Sequence, residues 1–186
     1  MNFNKHSELE GRHSFLSASK YHWVNYSEEK LEATYRRQRA AAQGTHLHNI
    51  AALLIEQRLK LANTKQTMNR YVNDAIGFKM TPELVLRYSD NCFGTADALS
   101  FRKNLLRIHD LKTGDSPTSM TQLEIYAAIF CFEYDFKASD IDFELRIYQN
   151  DEVFVHKPDL DTLVHIQDRI ITFDRIIDRI RQEETE

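Results

Sequence analysis

Asp110 and Lys112 stand two residues apart in a run, Leu105 to Leu111, that reads as a β-strand. A strand repeats every two residues, so both side chains leave one face while Leu111 points to the other. Behind them on that face lie Ile108 and Leu106, so the face starts as core and ends in a carboxylate and an ammonium. The preceding run, Phe93 to Phe101, carries Asp97 on one face with Leu99 and Phe101, and Arg102-Lys103-Asn104 is a natural turn between the two runs. Closing that hairpin sets Asp97 opposite or nearly opposite Asp110. Like charges opposed on a sheet destabilise it, and buried charges demand partners. A divalent cation resolves the conflict. Hard Mg²⁺ or Mn²⁺ takes carboxylate, carbonyl and water oxygens, and Leu111 would add a backbone carbonyl between the two key side chains. The competing reading is an ordinary salt bridge from Lys112 to one aspartate at an exposed strand end.

Three short motifs follow one another here: Gly94-Thr95-Ala96-Asp97, then Asp110-Leu111-Lys112-Thr113-Gly114, then Gln122 with Tyr126 four residues on. In this order they resemble the PD-(D/E)xK nuclease superfamily, and within it the RecB-type and phage-type exonuclease domains. The resemblance covers about residues 44–130. It implies that Asp97 and Asp110 bind catalytic Mg²⁺ or Mn²⁺, that Lys112 positions or activates the attacking water, and that Gln122 and Tyr126 lie near the site on the next helix. Gly44-Thr45-His46-Leu47-His48 is similar to the family's Gly-x-x-x-His element, which makes His48 a further metal ligand and leaves His46 solvated. Glu83, fourteen residues before Asp97, resembles an acidic residue of the first strand and is a possible ligand. Phe93 precedes the glycine of the first motif, and no proline precedes Asp97. Two cysteines, Cys92 and Cys131, exclude the four-cysteine iron–sulfur cluster that some relatives carry. The helicase portion of RecB-like enzymes is absent, which implies a stand-alone nuclease or a subunit of something larger.

These residues need a scaffold, and the periodicity outlines one. Ser17 or Ser19 is a candidate cap for helical sequence that runs to about Lys65, and Asn73 to Thr81 reads as a connection, with a short helical turn as the alternative. Three strands follow, at Leu84–Tyr88, Phe93–Phe101 and Leu105–Leu111, then a helix from Ser119 to Phe132. Glu144–Gln149 and Val153–His156 form a hairpin about Asn150-Asp151. A last helix, from about Asp161 to Gln182, carries the apolar stripe Leu163, Ile166, Ile170, Phe173, Ile177 and Ile180. The expected fold is mixed α/β, a restriction-endonuclease-like core with one mixed β-sheet flanked by helices on both sides. Residues 1–16 read as a polar segment and 17–186 as a single nuclease domain, with the motif core at about 44–130 and the C-terminal strands and helix at 143–182.

Composition is consistent with this and narrows the setting. A chain of 186 residues, 42% hydrophobic and 28% charged, is long enough for one good core. Its longest apolar stretch is the eight residues Ile125 to Phe132, whereas a bilayer span needs roughly 20, so no membrane partner is expected. The N-terminus lacks an apolar signal core, and two cysteines build no disulfide framework, so a reduced cytoplasm, bacterial or phage-infected, is the expected location. Net charge is −4, but residues 1–130 hold 17 Lys+Arg against 13 Asp+Glu, and residues 131–186 hold 7 against 15. A polyanion responds to the local field, so this asymmetry leaves room for DNA. Arg36, Arg37 and Arg39 are weak candidates for sequence-independent phosphate contacts. Trp23, with Ser17 and Ser19, resembles an N-terminal family element whose aromatic stacks on a base, although core packing is the plainer role. No phosphate-binding Gly-x-x-x-x-Gly-Lys loop, His-Glu-x-x-His, Cys-x-x-Cys or Gly-x-Ser-x-Gly element occurs. The expectation is a Mg²⁺- or Mn²⁺-dependent exonuclease of DNA recombination, repair or phage DNA metabolism, acting at ends of linear DNA. A homo-oligomer or a recombination-protein partner fits. The alternatives are a structure- or sequence-specific endonuclease on the same fold, and a non-catalytic binding protein.

Overall fold

Five strands and four α-helices account for most of the chain in the computed structural model, which describes residues 14–184. In chain order they are α1 (Glu28–Glu56), α2 (Thr67–Gly77), β1 (Thr81–Ser89), β2 (Cys92–Arg102), β3 (Leu105–Leu111), α3 (Thr121–Glu133), β4 (Asp142–Gln149), β5 (Glu152–His156) and α4 (Leu160–Glu183). Two units are distinguished, Met1–Gln43 and Gly44–Glu186, and the boundary falls within α1. Most of the expected polar segment 1–16 lies outside the described residues. No helix among them is long and apolar enough to cross a membrane.

In the first unit, a 3-10 helix spans Ala18–Asn25, and Trp23 Nε1 donates to the Ser17 carbonyl at 2.9 Å. Ser17 caps nothing with its side chain; its hydroxyl bonds that of Ser19. The residue that serves α1 is Ser27, whose Oγ accepts from the Lys30 amide at 3.3 Å, satisfying one of the orphan donors of the first turn.

The second unit holds the sheet, in the order β1-β2-β3-β4-β5. All neighbours pair antiparallel except β3 and β4, which are parallel and joined through α3, so the sheet is mixed. Two of the three tight hairpins have both central residues at positive φ, Lys103 and Asn104 (51° and 59°) and Asn150 and Asp151 (50° and 60°). That is the type I′ geometry whose twist matches the flanking strands. One face of the sheet packs on α3 and α4 through Leu86, Leu106, Ile108, Leu145, Ile147, Leu123 and Leu163. On the other, Ala98, Leu111 and Tyr148 pack against α2 and the second half of α1 through Tyr71, Val72, Ala75, Ala51 and Ile55. The fold is thus mixed α/β, one mixed sheet with helices on both sides.

One expectation fails here. Residues 73–81 are not simply a connection, because α2 occupies Thr67–Gly77. Its buried residues Tyr71, Val72 and Ala75 alternate with Asn69, Arg70, Asn73 and Asp74, which dilutes the apolar pattern. Asn73 is polar for a local reason: its amide accepts from Leu61 N and donates to Leu61 O, pinning the segment between α1 and α2. Helical sequence therefore stops at Glu56 rather than reaching Lys65.

Candidate metal centre

Asp97 sits where the β2–β3 ladder ends. The last pair is Ala98 with His109, so the hairpin does bring Asp97 to the level of Asp110, but no ladder pair forms between them. Instead the Asp97 carboxylate replaces a backbone partner: Leu111 N–H donates to Asp97 Oδ2 at 2.8 Å. The strand changes face at this point. Ala96 packs in the α3-side cluster and Ala98 in the α2-side cluster, although residues two apart on a regular strand share a face.

Across β1, Pro82 pairs with Ala98 and Leu84 with Ala96, which puts Glu83 opposite Asp97. Glu83 has φ 48°, in the left-handed region that a non-glycine residue occupies at a cost of about 1–3 kcal/mol. The third member of the cluster comes from α1. Gly44 lies against Thr113, just past Lys112, and a Cβ there would meet Thr113 Oγ1 at 2.7 Å. The missing side chain lets the helix approach the end of β3. One turn on, His48 Nδ1 stands 3.3 Å from Asp97 Oδ2. Ligand-capable atoms of His48, Glu83 and Asp97 all lie within 4.8 Å of one another.

Asp110 is the buried carboxylate beside this cluster, its side chain only 5% exposed. Lys112 Nζ lies 3.1 Å from Oδ1 and 3.0 Å from Oδ2, but forms a hydrogen bond only with Oδ1. Oδ2 is buried without a hydrogen-bond partner. The same Nζ donates to Gln122 Oε1 at 3.0 Å, so the first turn of α3 holds the lysine in place. Tyr126 follows one turn later, but its hydroxyl donates to the Thr95 carbonyl at 2.7 Å, and its ring covers Gly94, where a Cβ would lie 2.9 Å away. Tyr126 therefore fixes β2 rather than reaching into the cluster. Leu111, between Asp110 and Lys112 at the end of β3, buries its side chain in the α2-side core. Arg36, Arg37 and Arg39 are exposed on the first-unit part of α1, where Arg36 pairs with Glu32.

Electrostatics marks the cluster as short of positive charge. Burial, and then repulsion by Asp97, push the Asp110 carboxyl up despite Lys112. Burial and Asp97 also raise Glu83. His48 is raised chiefly by its hydrogen bond to Asp97, and the buried phenol of Tyr71 is raised by burial and by the field of Asp97, Glu83 and Asp110. The carboxylates of Glu83 and Asp97 and the His48 imidazole form a close donor set of a kind that fits a divalent cation, with Asp110 and its unpartnered Oδ2 as a further carboxylate beside it. Mn²⁺ suits it better than Mg²⁺, since imidazole suits transition metals while Mg²⁺ demands oxygen.

Sequence reasoning overlooked Thr113 as the seat of Gly44 and Tyr71 as a neighbour of the acids. It also missed the open face of the β1–β2 ribbon, where Val85 and Phe93 are 54% and 63% exposed. Alternation from Glu83 and Asp97 places both on the side that carries the cluster, a signal readable at every second residue.

His48→Ala tests the imidazole. Metal must displace a proton from this raised group, so Mn²⁺ affinity in the wild type should climb with pH through and above the ordinary histidine value near 6.5. In His48→Ala, affinity should fall and the climb should flatten. The His48–Asp97 contribution to metal-free stability runs the other way, present below that ordinary value and lost as pH rises through the raised one. Calorimetric titration of Mn²⁺ at several pH values checks this, and an unchanged curve would return His48 to the surface.

No family model matches the chain, and no curated protein matches it. Among solved structures it is similar to one described as the crystal structure of SSO0001, at 15% identity and a TM-score of 0.36 over 83% of this chain and 69% of that one. A likeness of that size carries no argument, so the functional reading rests on the residues themselves.

Proposed function

We propose that this chain is a Mg²⁺- or Mn²⁺-dependent deoxyribonuclease that hydrolyses phosphodiester bonds, acting as an exonuclease on linear DNA. The observation that carries the reading is the pairing of two features. Lys112 is held between Asp110 and Gln122, and the His48–Glu83–Asp97 cluster lies beside it. His48, Asp97 and Asp110, with Glu83, are the residues that would hold the ion. A bound ion of this kind lowers the pKa of a coordinated water and stabilises charge on phosphoryl oxygens. Lys112 donates hydrogen bonds from Nζ, which suits it to orient the attacking water or to meet negative charge growing on the phosphate. Gln122 limits the swing of that ammonium, and the Leu111 amide holds Asp97 in a single orientation. A reducing cytoplasm fits the free thiols of Cys92 and Cys131.

End-labelled linear DNA and closed circular DNA, each incubated with Mn²⁺, test the proposal. Mononucleotides from the linear substrate alone support an exonuclease. Cuts in the circle point to an endonuclease on the same site. No product from either, at metal concentrations that bind, overturns the enzymatic reading and favours a binding protein.

A further inference from the structure

Helix α4 carries more apolar surface than its own domain covers. From Leu163 the stripe steps by three and four in strict alternation, to Ile166, Ile170, Phe173, Ile177 and Ile180, the a/d spacing of a coiled-coil seam. Its first half serves the core: Leu163 is buried, and Ile166 and Ile170 are half-buried. Beyond them Phe173, Ile177 and Ile180 are 45%, 37% and 44% exposed. Beside the seam runs a groove of about 510 Å³, with Cys92 and Ile125 on its far wall. A continuous apolar strip of this kind marks an interaction surface.

The charges flanking the strip identify what covers it. On one edge, Asp174 and Asp178 are committed to the protein's own β1–β2 turn: Asn91 Nδ2 donates to each at 2.9 Å, and Ser89 Oγ donates to Asp174. The other edge carries Arg169, Ile176 and Glu183, one heptad apart, with the opposite charges placed symmetrically about the isoleucine. Arg169 lies over the Phe173 ring, and Glu183 makes an exposed contact with Arg179 at 3.7 Å, a pair of little energetic weight.

We propose that α4 pairs antiparallel with α4 of a second copy, making the protein a two-fold symmetric dimer. In that register Ile170 meets the partner's Ile180, Phe173 meets the partner's Ile177, and Ile176 meets the partner's Ile176. Arg169 then faces the partner's Glu183, twice over by symmetry, as an isologous interface requires. A parallel pairing would call on Asp174, which the β1–β2 turn already holds. This assignment is independent of the catalytic reading, since none of these residues belongs to the candidate metal centre.

Sedimentation velocity on the full chain, from micromolar to submillimolar concentration and without metal, reads the result directly. The wild type should sediment as a dimer at the upper end. Ile180→Glu, which buries a charge in the seam, should be monomeric there with an unchanged circular dichroism spectrum. Arg169→Glu and Glu183→Arg should each weaken the dimer about tenfold, by setting like charges against each other. The double variant R169E/E183R should restore wild-type dimerisation, a rescue that a folding defect would not give. A wild type that stays monomeric overturns the proposal. So does a dimer that survives Ile180→Glu, or a double variant as weak as the single ones.

Discussion

Asp110→Asn should reduce cleavage by at least about 1,000-fold, given the several kcal/mol that a correctly held metal supplies, and yet should not weaken the metal-free protein. Most replacements of a buried residue destabilise. Here the wild-type side chain is a cost. Burial and the Asp97 charge raise the Asp110 carboxyl, and Lys112 only partly offsets them. A carboxyl whose folded pKa is raised costs the folded state more to ionise than the unfolded one, so the charge works against folding wherever it is present. Asparagine removes that charge at nearly constant volume, so the metal-free variant should melt at or above the wild type. The difference should shrink as pH falls through the raised pKa and vanish below the ordinary carboxyl value of 3.8. Saturating Mn²⁺ provides the contrast. At about 100 times its dissociation constant, a ligand specific for the folded state adds about 2.7 kcal/mol, or about 5–10 °C for a chain of this length. The wild type should show that rise and Asp110→Asn very little of it. A metal-free variant that melts well below wild type would make the Asp110–Lys112 ion pair a structural device and remove the main support for a nuclease.

Lys112→Ala should separate chemistry from metal binding. It deletes the ammonium that Asp110 and Gln122 hold, but no candidate ligand. Cleavage should fall by about 100-fold or more, the scale of a lost proton-handling or charge-stabilising group. Mn²⁺ affinity should be unchanged or tighter, since a nearby positive charge is gone. The same loss strips the Asp110 carboxylate of its hydrogen bond from Lys112, so the metal-free variant should be less stable than wild type at neutral pH. That deficit should narrow in acid, where a protonated Asp110 needs no counter-charge. Calorimetry and a melting series at several pH values check both halves. If metal binding disappears together with activity, Lys112 organises the ligands rather than the water.

Local pattern made much of this legible without coordinates. The period-two spacing of Leu106, Ile108, Asp110 and Lys112 encodes a face that turns from core to charge, and the strand realises it. Both I′ hairpins follow from short polar segments between apolar runs, and the α4 stripe follows from its spacing. Such features depend on neighbours a few residues away, so the chain states them directly. The contents of the candidate site were less accessible. Nothing near Glu83 announces a positive φ, which arises because β1 must keep pairing across the point where β2 changes face at Asp97. His48 reaches Asp97 only because Gly44 seats α1 against Thr113, a close approach between segments far apart in the chain. The expected facing pair Asp97–Asp110 became two environments, one carboxylate bonded to the Leu111 amide and histidine, the other to lysine. Helix α2 escaped notice because its polar residues answer to partners elsewhere, Asn73 to Leu61 and Asp74 to Tyr148. Periodicity specifies which way a side chain leaves its own element. What it meets there depends on how closely the backbones pack, and that is settled only when the whole chain has folded.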